Sequence, residues 1–130
     1  MQMRLRESQS ANSVVSRHRE MRRLGLPARE DKDLYFTVWE APSSGWSLAA
    51  AEYDHVGGID LTLCQVILMT DQSGHVRVMR KVPYKKTNVD VPDVTTWTPL
   101  DLADVDSNGR IEVILEGDAY ENHWLEVDSL

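Results

Sequence analysis

The run Leu61 to Thr70 is nearly continuous in apolar and β-branched residues, and together with the segment after it leaves few folds open. Asp71-Gln-Ser-Gly74 has the composition of a tight turn, and His75-Val-Arg-Val-Met-Arg-Lys-Val82 then alternates apolar with polar. Alternation with a period of two places every second side chain on one face of a strand, and turn residues between two such runs define a hairpin. A run apolar at nearly every position is a strand buried on both faces when it is central in its sheet. A chain built around this hairpin needs something to cover each face of it.

Other segments repeat the theme. Leu34-Tyr-Phe-Thr-Val-Trp39 is aromatic and β-branched, and Pro42-Ser-Ser-Gly45 reads as a turn. Trp46 to Tyr53 is ambiguous, because three alanines favour helix while the flanking aromatics favour strand. Asp54 to Gly58 reads as a loop and Pro83 to Pro92 as a polar connection. Trp97 to Ala103, Ile111 to Leu115 and His123 to Val127 complete the strand candidates, with a turn at Gly117-Asp118. These runs predict an all-β domain of about seven antiparallel strands, arranged as one or two propeller-blade-like sheets or as a sandwich. It occupies residues 30–130. Residues 1–29 form a basic N-terminal tail or a short helix over Arg17 to Leu24, stopped by Gly25 and Pro27.

Charge divides the chain at the same place. Residues 1–29 carry seven Arg against Glu7 and Glu20, a net +5, whereas residues 30–130 carry seven Lys or Arg against nineteen acids, a net −12. An acidic body repels phosphates, which argues against nucleic acid as a partner and suits divalent cations. No apolar stretch has the length of a membrane span, and no apolar core of a secretory signal stands in the first thirty residues. Cys64 is the single cysteine, so no disulfide forms within the chain, and its apolar context predicts a buried, inert thiol.

One loop carries specific chemistry. In Asp104-Val-Asp106-Ser-Asn108-Gly109-Arg110-Ile-Glu112, oxygen-bearing side chains stand at the first, third and fifth positions and a glycine at the sixth. Calcium takes six to eight oxygens, and alternate residues of a curled backbone converge on it. Asp104, Asp106 and Asn108 would bind through side chains, Arg110 through its carbonyl, and Glu112 directly or through water. The twelfth position is Leu115 within a strand-like run, which excludes an EF-hand and makes the loop a strand connection. Read without a metal, Ser107-Asn108-Gly109 is an ordinary hairpin turn.

The segment Leu102-Ala-Asp-Val-Asp-Ser-Asn-Gly-Arg-Ile-Glu-Val-Ile-Leu115 resembles the FG-GAP/VCBS repeat, whose signature is an Asp-x-Asp-x-Asp-Gly-x-x-Asp/Glu loop before an apolar strand. The resemblance extends over about residues 97–127. In that family the repeats are β-propeller blades of extracellular or periplasmic proteins, and the loop binds calcium between the first two strands of a blade. It implies one calcium ion on Asp104, Asp106, Asn108, the Arg110 carbonyl and Glu112. This chain departs by having Asn108 for the usual Asp and no second copy of the loop. A closed propeller needs at least four blades, so the resemblance implies a larger propeller assembly, a homo-oligomer, or a lone calcium loop in a small sandwich.

The expected function is therefore a non-enzymatic calcium-binding β-domain used in binding or assembly. Two further readings stand beside it. Glu116, Asp118 and Glu121 lie near Tyr120 and Trp124, a composition that suits a glycan-acting enzyme or a carbohydrate-binding module using residues 116–124. A purely structural oligomer subunit without metal accounts for the basic arm. His18, His55, His75 and His123 lack the spacing of a helical zinc site, and no nucleophile elbow or phosphate loop is present. No catalytic residue is assigned. Arg80, Lys81, Lys85 and Lys86 read as a solvated strand edge that discourages pairing.

Overall fold

The computed structural model describes residues 2–3, 6–7, 11–41, 45–103 and 111–129. Its strands are β1 (Gln2–Met3), β2 (Arg6–Glu7), β3 (Leu34–Ala41), β4 (Trp46–Gly57), β5 (Asp60–Thr70), β6 (Val76–Asn88), β7 (Thr96–Ala103), β8 (Glu112–Ala119) and β9 (Asn122–Ser129). The helix α1 spans Ala11–Arg23. The strands form two antiparallel sheets, one in the order β2-β3-β4-β5-β6 and the other β1-β7-β8-β9. Seven long strands in two sheets meet the all-β expectation, in its sandwich form.

Alternation along the strands explains the layering. Val38, Ala49, Ala51, Cys64, Val66 and Leu68 point to one side of the five-stranded sheet, where they pack with Met21 and Leu26 of the helical segment. Leu48, Ile67, Met69 and Met79 point to the other side and meet Leu102, Val113 and Leu115 of the four-stranded sheet. The five-stranded sheet is the middle layer, so β5 is buried continuously from Leu63 to Thr70. The ambiguous Trp46–Tyr53 segment is strand because its alanines fit beneath both neighbouring layers, and large side chains there would hold the layers apart.

Helix α1 starts earlier than the sequence indicates but ends as expected. Leu26 donates its N–H to the Met21 carbonyl at 3.3 Å, and Gly25 donates to Arg22 at 3.1 Å, with Gly25 at φ 99°. This is a Schellman closure, which needs a left-handed residue that glycine supplies without strain. Asp54 to Gly57 and Pro83 to Asn88, read as connections, instead continue β4 and β6, because pairing with β5 satisfies their backbones. Pro83 is tolerated because β6 is an edge strand.

Two polar clamps join the sheets. The buried Gln65 of β5, only 5 % exposed, accepts a hydrogen bond from the Trp97 N–H at 2.8 Å and donates to the Trp97 carbonyl at 2.5 Å. On the β6–β9 side, Arg80 donates to Glu126 at 2.7 Å and also to Asp128, while its guanidinium stacks 4.4 Å from the Trp97 ring centre. Arg80 is therefore not part of the solvated edge read from the sequence, whereas Lys81, Lys85 and Lys86 are exposed on it. On the opposite side, β1 pairs with β7 and β2 with β3, so the N-terminal segment contributes a strand to each sheet.

Replacing Gln65 by Leu leaves the Trp97 amide and carbonyl without these partners and is expected to lower stability by about 1–3 kcal/mol, read as a lower urea midpoint. Gly117 lies beneath the Trp124 indole, and a Cβ there would collide with the ring. Gly117→Ala is expected to cost about 1–3 kcal/mol, accompanied by a change in tryptophan fluorescence as the ring is displaced.

Candidate functional site

Two ends of the β7–β8 pair hold the groups with chemical potential. At one end, Ala103 of β7 pairs with Glu112 of β8, so the chain between them joins two antiparallel strands. Asp104, Asp106, Asn108 and Arg110 lie outside the described residues. Glu112 is described: it is 3 % exposed and stands opposite Ala103 and Ser129. Its carboxylate is of the kind a hard cation takes as a ligand. Among the described residues, no three His, Cys, Asp or Glu side chains are grouped to hold a metal ion.

At the other end the two sheets diverge around a cleft of about 370 Å³. The inward stripe of β4 changes there from Leu48 and Ala50 to Glu52 and Asp54, and Asp118 of β8 faces the same space. Leu61, Leu63 and Val94 make apolar walls, and Tyr120 stands at the mouth. Sequence reading missed this site, because Glu52 and Asp54 sit in the segment that looked partly helical and partly loop. The available signal was the period of two: positions 48, 50, 52 and 54 share one face once the segment is strand.

The cleft alters the acidity of its carboxylates. Burial first, then a hydrogen bond with Asp54 and the charges of Asp54 and Asp118, push Glu52 from its usual 4.5 up to about 8. At pH 7 Glu52 therefore keeps its proton and donates it to Asp54. On β3 and β5, Tyr35 and Gln65 stand opposite Glu52 in register and bring no positive charge.

The acidic and aromatic segment 116–124 does not converge as a unit. Asp118 and Tyr120 line the cleft, Glu121 is exposed at a left-handed turn with φ 62°, and Glu116 stands opposite Leu125 on β9. Trp124 packs edge-on against Trp97 at 5.7 Å. The histidines are scattered. His18 is buried beside Phe36 with Nε2 3.2 Å from the Pro27 carbonyl. His55, His75 and His123 pair separately with Asp33, Asp71 and Asp118 at 2.9, 3.3 and 3.1 Å. Burial raises the Cys64 thiol above its ordinary range, consistent with an inert thiol. No helix among the described residues is long and apolar enough to cross a membrane.

Comparisons with protein-family models, with curated proteins and with solved structures found no match.

The Glu52 shift has a definite sign. Between pH 4.5 and about 8 the folded chain holds a proton that the unfolded chain has released, so this group's contribution to stability falls as pH rises through that window. Glu52→Gln is expected to remove that slope and to raise the melting temperature at pH 8 relative to the parent, with little difference near pH 4.5, as read by calorimetry at several pH values.

Proposed function

We infer that the chain is a non-enzymatic calcium-binding β-domain, used in binding or assembly, in which the ion stiffens the connection between β7 and β8. The observation that carries this reading is the placement of the loop: it joins two strands paired up to Ala103 and Glu112, and Glu112 is buried at its foot. The adjoining β8–β9 pairing makes the β7–β8–β9 part of the sheet a meander with the loop between its first two strands. That is the position the loop holds in the blades the segment resembles. Asp104, Asp106, Asn108, the Arg110 carbonyl and Glu112 would hold the ion. When bound, calcium would neutralise the carboxylates crowded into a short turn and tie loop order to folding. The carbohydrate reading of residues 116–124 draws its support from Asp118 and Tyr120 alone, since the Trp124 ring is engaged with Trp97 and Gly117.

Calcium is expected to raise the melting temperature, with a stabilisation of about 2.7 kcal/mol at a hundredfold excess over the dissociation constant. Asp104→Ala with Asp106→Ala is expected to abolish the rise while leaving the calcium-free melting temperature equal or higher. Titration calorimetry showing no heat, together with an unchanged melt at about 10 mM calcium, above the weak extracellular range, sinks the reading.

A further inference from the structure

The cleft between the diverging ends of the sheets has the build of a receptor for a cationic, partly apolar ligand. Its volume, about 370 Å³, accommodates a long side chain with part of its backbone. Its walls are the apolar side chains Leu61, Leu63 and Val94, and its floor carries Glu52 and Asp54 with Asp118 opposite. Along the rim, Val56 in the lining is more than half exposed, and so are Ile59 in the β4–β5 turn and Val91, the chain neighbour of the lining residue Pro92. The Val89 N–H donates to the Ile59 carbonyl at 2.8 Å, which ties the β6–β7 connection to the β4–β5 turn so that both present this rim together. An exposed apolar rim beside an acidic cleft, in which Glu52 is kept protonated by its neighbours, is an unfavourable arrangement for a free surface, and a positively charged partner relieves both defects.

We propose that this cleft is a docking site for an arginine- or lysine-bearing peptide segment of a partner protein, whose cationic group sits among Glu52, Asp54 and Asp118 while its neighbouring apolar side chains cover Val56, Ile59 and Val91.

Charge complementarity selects the occupant. The groups facing Glu52 are Asp54 on β4, Asp118 on β8, Tyr35 on β3 and Tyr120 in the β8–β9 turn, with uncharged Gln65 and Thr96 on β5 and β7. His123 of β9 meets Asp118 at 3.1 Å, with both side chains more than half exposed. On β6, Lys85 stands opposite Leu63 in register and is held by Asp93 at 3.3 Å. The three cleft carboxylates are not drawn together into a metal-holding group, which favours an extended organic cation over an ion. An arginine or lysine entering the cleft takes the place of the shared proton between Glu52 and Asp54, so docking releases a proton near neutral pH. The cleft and the calcium loop lie at opposite ends of β8, roughly 20 Å apart by strand rise. Failure of either reading therefore leaves the other standing.

The test uses the full chain with calcium chelated and a short blocked peptide that alternates arginine with leucine. Titration calorimetry at pH 7, in buffers of different ionisation enthalpy, is expected to show binding with proton release. The same peptide with citrulline for arginine, near in shape but neutral, is expected to bind at least about tenfold more weakly. Asp118→Asn, at a half-exposed position, is expected to weaken binding about tenfold, with a cooperative melt showing that the variant is folded. Glu20→Gln removes the same charge from the helix beyond the five-stranded sheet and is expected to leave binding unchanged. Equal binding of the two peptides overturns the proposal. So does an equal loss from Asp118→Asn and Glu20→Gln, which marks attraction by net charge alone, and so does tighter binding of cellotetraose than of the arginine peptide.

Discussion

Gln65 lies in the middle of β5 and spends its whole side-chain amide on the backbone of Trp97 in the opposite sheet. An amide buried between two sheets costs free energy unless both its donor and its acceptor are satisfied, and a strand backbone presents the matching pair in one residue. This contact sets how β7 lies across the five-stranded sheet. Trp97 is then held where Arg80 stacks on one part of it and Trp124 meets it edge-on. Arg80 in turn reaches Glu126 and Asp128, so one polar chain runs from the centre of the middle layer to the edge strand β9. Hydrophobic burial supplies the driving force for stacking the sheets, but it has no direction. The directed contacts decide the relative placement.

That placement also creates the cleft. Apolar side chains fill the space between the sheets from Leu48 to Met69, opposite Leu102, Val113 and Leu115. Beyond Ala50 the inward positions of β4 become Glu52 and Asp54, and two carboxylates cannot be packed into an apolar seam without partners. The seam opens there, yet Glu52 remains buried enough beside Asp54 to hold its proton near neutrality. The opposite end of β8 carries a different acid, Glu112, buried at the foot of the hairpin whose sequence has the calcium pattern. Acidic groups thus stand at both ends of β8: Glu112 at one, and at the other Asp118, which shares the cleft with Glu52 and Asp54 of β4.

Much of the fold was legible in the residues. The hairpin β5–β6 was readable because Leu61–Thr70 and His75–Val82 carry unmistakable periods around a good turn. The two-sided burial of β5 followed from its nearly continuous apolar run. The helix stop at Gly25 was readable because a left-handed residue before a proline has few other uses. Arg80 was misplaced among the edge lysines, since its neighbours Lys81, Lys85 and Lys86 are exposed and nothing local distinguishes it. Its partners lie 46 and 48 residues away. Glu52 and Asp54 were missed because the acidity of Glu52 is set first by burial in a cleft that exists only once β8 packs across β4, and no local pattern announces that burial.

By itself the sequence determined the class of elements, the turn at Asp71 to Gly74, the inert cysteine and the one loop with a calcium pattern, because each rests on residues within a few positions of one another. The turn read at Gly117-Asp118, by contrast, lies inside β8, and the chain turns at Tyr120 and Glu121 instead. The tertiary structure alone decided that the strands form a sandwich of two sheets and that α1 covers the outer face of the larger one. It also decided that Arg80 belongs to an inter-sheet clamp and that Glu52, Asp54 and Asp118 share a cleft. These depend on contacts between residues far apart in the chain, and local patterns of polarity carry no information about which distant side chain will complete a charge or a hydrogen bond.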